Sequence, residues 1–192
     1  GEDTPAAIES TLAAITSRVS VSSNGAEGND ESTFPALSYD GRYVAFSSDA
    51  SNLVANDTNS FEDIFVHDRQ TGQTQRISVG AGGQEGNGES WSPAISSTGR
   101  YIAFSSFASN FVSGDTNNAS DIFVMDRDTG VLQRVSVSSS EVQTIGGSHD
   151  PAISANGRYI AFYSGGDLTN TDSDTNGAFD VYVRDTVDGE TW

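Results

Sequence analysis

Short apolar runs alternate along the chain with polar, glycine-punctuated segments, and the alternation is itself periodic. The run Arg-Val-Ser-Val, or its variant Arg-Ile-Ser-Val, begins at Arg18, Arg76 and Arg134, a step of 58 residues. Gly-Arg-Tyr begins at Gly41, Gly99 and Gly157, and Pro35, Pro93 and Pro151 keep the same step. An acidic segment starts at Asp57, Asp115 and Asp174, so only the third copy slips, by one residue. A register held through three copies marks an internal repeat. Within the first copy, residues 35–39 and 42–48 read as strands joined by Asp40-Gly41, a tight hairpin turn needing positive φ; Asn156-Gly157 is its counterpart. Residues 63–68 and 74–79 read as a third and fourth strand around the turn Arg69-Gln-Thr-Gly72, where Gly suits a left-handed position. A Gly-rich loop, residues 80–88, leads to the next copy. Four antiparallel strands per repeat predict an all-β fold, a β-propeller with three four-stranded blades per chain. A β-helix needs shorter coils, and a sandwich does not repeat.

The third copy stops short. After Gly72 the first copy continues Gln-Thr-Gln-Arg-Ile-Ser-Val, whereas after Gly189 the third continues Glu-Thr-Trp, so its fourth strand is expected to be missing. A spare strand of that type, residues 16–22, precedes the first copy. The chain then divides into an N-terminal arm, residues 1–17, and a three-blade unit, residues 18–192, with the strand at 18–22 completing a last blade. Propellers need 4–8 blades to close, and open sheet edges invite pairing. The expectation is that this strand completes blade three of a neighbouring copy, head to tail, giving a filament or a ring in which two chains make six blades. The alternative is a piece of a longer propeller. In the arm, Ala7, Ile8, Leu12, Ala13 and Ile15 form one face of a short helix or belong to an extended docking segment; the plain reading is a tail.

Charge narrows the partners. The formal net charge is −18, and all nine basic residues are Arg. Nothing in such a chain neutralises phosphates, which excludes nucleic acid and anionic membrane surfaces. No apolar run is long enough to span a bilayer, so no membrane insertion is expected. Cys is absent, which fits any compartment. The first residue is Gly rather than Met, compatible with a removed signal peptide. So much negative charge favours a bound cation or salty surroundings.

The acidic loops are the candidate cation sites. In repeat three, Asp172, Asp174, Asn176 and Asp180 occupy positions one, three, five and nine of D-x-D-x-N-G-x-x-D. Alternate oxygens there can converge on one cation, with Gly177 permitting the sharp turn, and an all-oxygen set favours Ca²⁺. Repeat one keeps Asp57, Asn59 and Asp63, and repeat two keeps Asp115, Asn117 and Asp121. Their first position is Ala55 or Ser113, and the sixth is Ser60 or Asn118. The competing reading is that Asp-Thr-Asn caps a turn through its own backbone. Asn56 and Asn118 also open N-glycosylation sequons.

Pro-Ala-Leu/Ile-Ser-x-x-Gly-Arg-Tyr-Val/Ile-Ala-Phe, followed by Asp-Ile-Phe-Val-x-Asp-Arg-x-Thr-Gly, resembles the TolB-type propeller repeat from about Thr16 onward. The resemblance implies a β-propeller in a bacterial periplasmic or exported protein. These copies are longer than the usual blade of that family, and the acidic loop makes up much of the excess. That loop resembles the short calcium loops of integrin-type propeller blades.

The remaining candidates are weaker. Trp91 shares its repeat position with Thr33 and His149, a ring near the channel whose variation reads as neutral drift. His67, equivalent to Met125 and Arg184, reads as a surface position. No Ser/His/Asp grouping stands apart from the repeat, and residues 80–88 lack the Lys and following helix of a phosphate loop. The expectation is therefore an extracellular or cell-surface, calcium-stabilised structural propeller that assembles with copies of itself, not an enzyme. The alternative is a binding module for a surface glycan or protein.

Overall fold

A computed structural model of the chain describes residues 16–169 and 176–192; the apolar positions of residues 1–15 lie outside the described residues. The strands run β1 Ser32–Leu37, β2 Tyr43–Ser48, β3 Asp63–Asp68 and β4 Gln73–Arg76 in the first repeat, and β5 Ser90–Ile95, β6 Tyr101–Ser106, β7 Asp121–Asp126 and β8 Val131–Arg134 in the second. The third repeat has β9 Ser148–Ile153, β10 Tyr159–Ser164, β11 Asp180–Asp185 and β12 Glu190–Thr191. Each repeat folds into one antiparallel four-stranded sheet in sequence order. This is the all-β blade architecture that the periodicity predicts.

Local chemistry sets the strands. Gly41, Gly99 and Gly157 have φ of +71°, +76° and +79°, a conformation that carries no steric penalty without a Cβ. Glycine also makes room at the second and third of these turns. A Cβ on Gly99 would lie 2.3 Å from the Tyr43 ring, and one on Gly157 2.1 Å from the Tyr101 ring. The tyrosines of the first two blades thus seat on the next blade's turn glycine. The middle strands are buried on both faces, so they read as nearly continuous apolar runs. Ala45, Ile64, Val66 and Ile77 meet Ile102, Phe104, Phe111 and Phe123 between the first two blades. Ala103, Ile122, Val124 and Val135 meet Ile160, Phe162, Leu168 and Tyr182 between the second and third. The inner strands β1, β5 and β9 are in contact in series.

Two expectations are corrected. The third sheet does have a fourth strand: β12 pairs Arg184 with Thr191 and Asp185 with Glu190, and Val183 and Trp192 exchange backbone hydrogen bonds. His67 is buried, not on the surface. Residues 21–23 cross onto β4 and residues 137–139 onto β12, and these crossovers cover His67 and Arg184. Thr74 Oγ1 donates to Val21 O at 2.5 Å and sits 2.9 Å from His67 Nδ1. Thr191 Oγ1 likewise donates to Val137 O at 2.6 Å, and Arg184 beside it donates to Ser138 O at 3.1 Å.

Candidate functional site

The acidic loops bring their carboxylates together, around arginine. In the first repeat, Arg76 Nη1 lies 3.1 Å from Asp57 Oδ1, 3.1 Å from Asp63 Oδ2 and 2.8 Å from Glu85 Oε1. In the second, Arg134 Nη1 lies 3.5 Å from both Asp115 Oδ1 and Asp121 Oδ2, and Gln143 replaces Glu85, donating to Asp115 at 3.2 Å. Asp63 and Asp121 are fully buried. Ser78 and Ser136 each donate a 2.5 Å hydrogen bond to the far carboxylate oxygen. Burial outweighs the guanidinium at both carboxyls, raising Asp63 above the ordinary carboxylate range and Asp121 to about 6. Glu85 is held down at about 2, chiefly by the Thr58 hydroxyl and amide.

The asparagines of these loops shape the turn. Asn59, Asn117 and Asn176 each accept, through Oδ1, the N–H two residues on, from Phe61, Ala119 and Ala178. The next position is left-handed in all three copies: Ser60 at φ +58°, Asn118 at +51° and Gly177 at +64°. The side-chain cap holds Ser and Asn in a conformation that glycine adopts freely. Asp172 and Asp174 lie outside the described residues. Among the described residues, no group of three or more His, Cys, Asp or Glu side chains could hold a metal ion. Sequence reasoning picked the carboxylates and missed the counter-charge. The signal was present, because Arg18, Arg76 and Arg134 keep the repeat register.

In the third repeat Asp180 corresponds to Asp63 and Asp121, and Arg18, Val19 and Ser20, ahead of the first blade, hold the repeat positions of Arg76, Ile77 and Ser78. The Arg18 side chain is 54% exposed and paired with Glu27, whereas that of Arg76 is 8% exposed. Val181 is 75% exposed where Ile64 and Ile122 are fully buried. Among the described residues no glycine turn lies beneath Tyr159, unlike Tyr43 and Tyr101, and no tyrosine lies on Gly41 at the other end. Leu37 is exposed where its equivalents Ile95 and Ile153 pack into the core clusters. The interblade hydrogen bonds Tyr39 N–H to Ser97 O and Ser97 N–H to Ala155 O form a series.

No protein-family model and no curated protein matches the chain. Solved structures do. TolB from Acinetobacter baumannii superposes with a TM-score of 0.51 at 21% identity, covering 84% of this chain and 31% of that one. A candidate TolB of Agrobacterium tumefaciens gives 0.53 at 21%, covering 84% and 48%. The β-propeller domain of the trilobed protease from Pyrococcus furiosus, described as having an open velcro topology, gives 0.52 at 16%, covering 85% and 42%. The chain spans between about a third and a half of the length of these structures. The likeness is one of fold, and it identifies the three sheets as blades of a TolB-like propeller.

Proposed function

We propose that the chain is a structural propeller unit that completes its ring by head-to-tail association with a second copy. Residues 18–20 of one copy extend the third sheet of the other. The observation that carries this reading is complementarity. Arg18, Val19 and Ser20 are the residues that Asp180 and Val181 lack, and Gly41 and Leu37 form the seat that Tyr159 and Val181 lack. In the first two blades each of these contacts is made within the chain. Two copies have six blades, within the range that closes, and closure removes the sheet edges that otherwise invite disordered pairing. In this ring Arg18 supplies the third acidic loop with the counter-charge that Arg76 and Arg134 supply to the others. In a longer chain, further repeats of the same type would fill the same two faces.

Complementation between two blocked variants tests the proposal. Val181→Asp spoils one face and Leu37→Asp the other, so each variant alone is expected to be monomeric. Mixed, the intact first-blade face of Val181→Asp meets the intact third-blade face of Leu37→Asp, and an open dimer is expected by light scattering. A mixture that stays monomeric beside a dimeric wild type refutes head-to-tail pairing.

A further inference from the structure

The aromatic members meet in space at four of the positions where the repeats differ. They are Thr33, Trp91 and His149; Ser47, Ser105 and Tyr163; Asp49, Phe107 and Gly165; and Glu62, Ser120 and Phe179. The Trp91 ring lies 5.1 Å from Phe107 and 6.2 Å from His149. The His149 ring lies 5.3 Å from Tyr163 and 5.9 Å from Phe179. Tyr163 and Phe179 meet at 90°, forming the two walls of a corner. Phe107 and Phe179 are exposed, and Trp91, His149 and Tyr163 are half-buried.

Phe34, Ser92 and Asp150, each before a proline, have φ of +47°, +51° and +50°, a strained turn common to the three repeats. In the second and third repeats it places Ser92 and Asp150 directly after Trp91 and His149. The Asp150 carboxylate is held there by Ser92 Oγ at 2.8 Å and Tyr163 Oη at 3.2 Å. The strip thus combines exposed ring faces with an oriented carboxylate, on a chain of net charge −18.

We propose that this strip binds an oligosaccharide carrying free amino groups. Aromatic faces take the apolar face of a sugar ring and attract an ammonium group. The Asp150 carboxylate accepts hydrogen bonds from hydroxyl or ammonium groups and pairs with the positive charge. The field of the whole chain repels uronic or sulfated sugars.

The probe is a glucosamine hexamer, compared with its N-acetylated form and with oligogalacturonate. Trp91 fluorescence reports binding in a chain carrying Trp192→Phe, which leaves Trp91 as the single tryptophan. The glucosamine hexamer is expected to quench Trp91 saturably. The N-acetylated hexamer is expected to bind several-fold more weakly, and oligogalacturonate not at all. Phe179→Ala and Asp150→Asn are each expected to weaken binding by about tenfold, with unchanged circular dichroism. Three results overturn the proposal: no quenching by the glucosamine hexamer; binding that neither substitution alters, which is attraction to net charge alone; and equal or tighter binding of the N-acetylated hexamer, which removes the amino group from the argument.

Discussion

Replacing Arg134 by methionine tests what holds the acidic loops together. The substitution keeps much of the side chain's apolar stem and removes the guanidinium that Asp115 and Asp121 share at 3.5 Å. Asp121 is fully buried, and breaking a buried ion pair costs about 3–5 kcal/mol. The lower end applies here. The contacts are long, Asp121 keeps its Ser136 hydrogen bond, and its pKa already stands at about 6. At pH 7.5 the loss is expected to be about 3 kcal/mol, or roughly 6–12 °C in Tm for a chain of this length. At pH 5 Asp121 takes up a proton instead of remaining as a stranded charge, and the loss shrinks to about 1 kcal/mol. Adding Asp121→Asn is expected to restore most of the stability at pH 7.5. Thermal unfolding followed by circular dichroism at the two pH values, with and without EDTA, measures all of this. A loss below about 1 kcal/mol at pH 7.5, or one independent of pH, refutes the reasoning. Loops tied by calcium give the opposite pattern: EDTA lowers the wild-type Tm and Arg134→Met does little.

Further predictions concern pH and packing. Burial raises the folded-state pKa of Asp121 to about 6 and moves that of Asp63 in the same direction, so the folded chain binds more protons than the unfolded one above about pH 4. The Asp121 contribution is present below about pH 4 and is lost as pH rises through about 6, so urea midpoints should rise on acidification across that window. Asp121→Asn should flatten the rise, and an unchanged slope counts against it. Asp126 and Asp185 are held at about 2 by hydrogen bonds from Arg100 and Arg158, so their contributions fade as the pH falls towards 2. A stability maximum near pH 4–5 follows. Gly72→Ala, at φ +73° with nothing within 4 Å, should cost about 1–2 kcal/mol of backbone strain. Gly99→Ala adds a clash with Tyr43 and should cost clearly more by urea denaturation; equal losses would mean that the tyrosine–glycine seat contributes nothing.

The fold was legible because repetition multiplies a weak local signal. Asp63–Asp68 was bounded correctly from its apolar run alone, and the Asp40-Gly41 turn from its residue types. The first strand was expected at residues 35–39 but runs Ser32–Leu37, because its bulge between Thr33 and Ala36 breaks the alternation that marks a strand. His67 was misplaced for a tertiary reason: the crossover that buries it comes from residues 21–23, far away in sequence. The candidate sites were half legible. Acidic residues at alternate positions draw attention to cations, yet Arg76 sits 13 residues beyond Asp63 and reaches it only because β3 and β4 pair. The aromatic strip was hidden because its members come from four separate positions of two repeats, and only folding brings Trp91 next to Phe107.

The central claim is that the two ends of the unit belong together. Light scattering of the purified chain at tens of micromolar measures it directly. The account predicts a discrete mass of twice 20.2 kDa, one ring of two copies. A single species of 20.2 kDa at that concentration would contradict it.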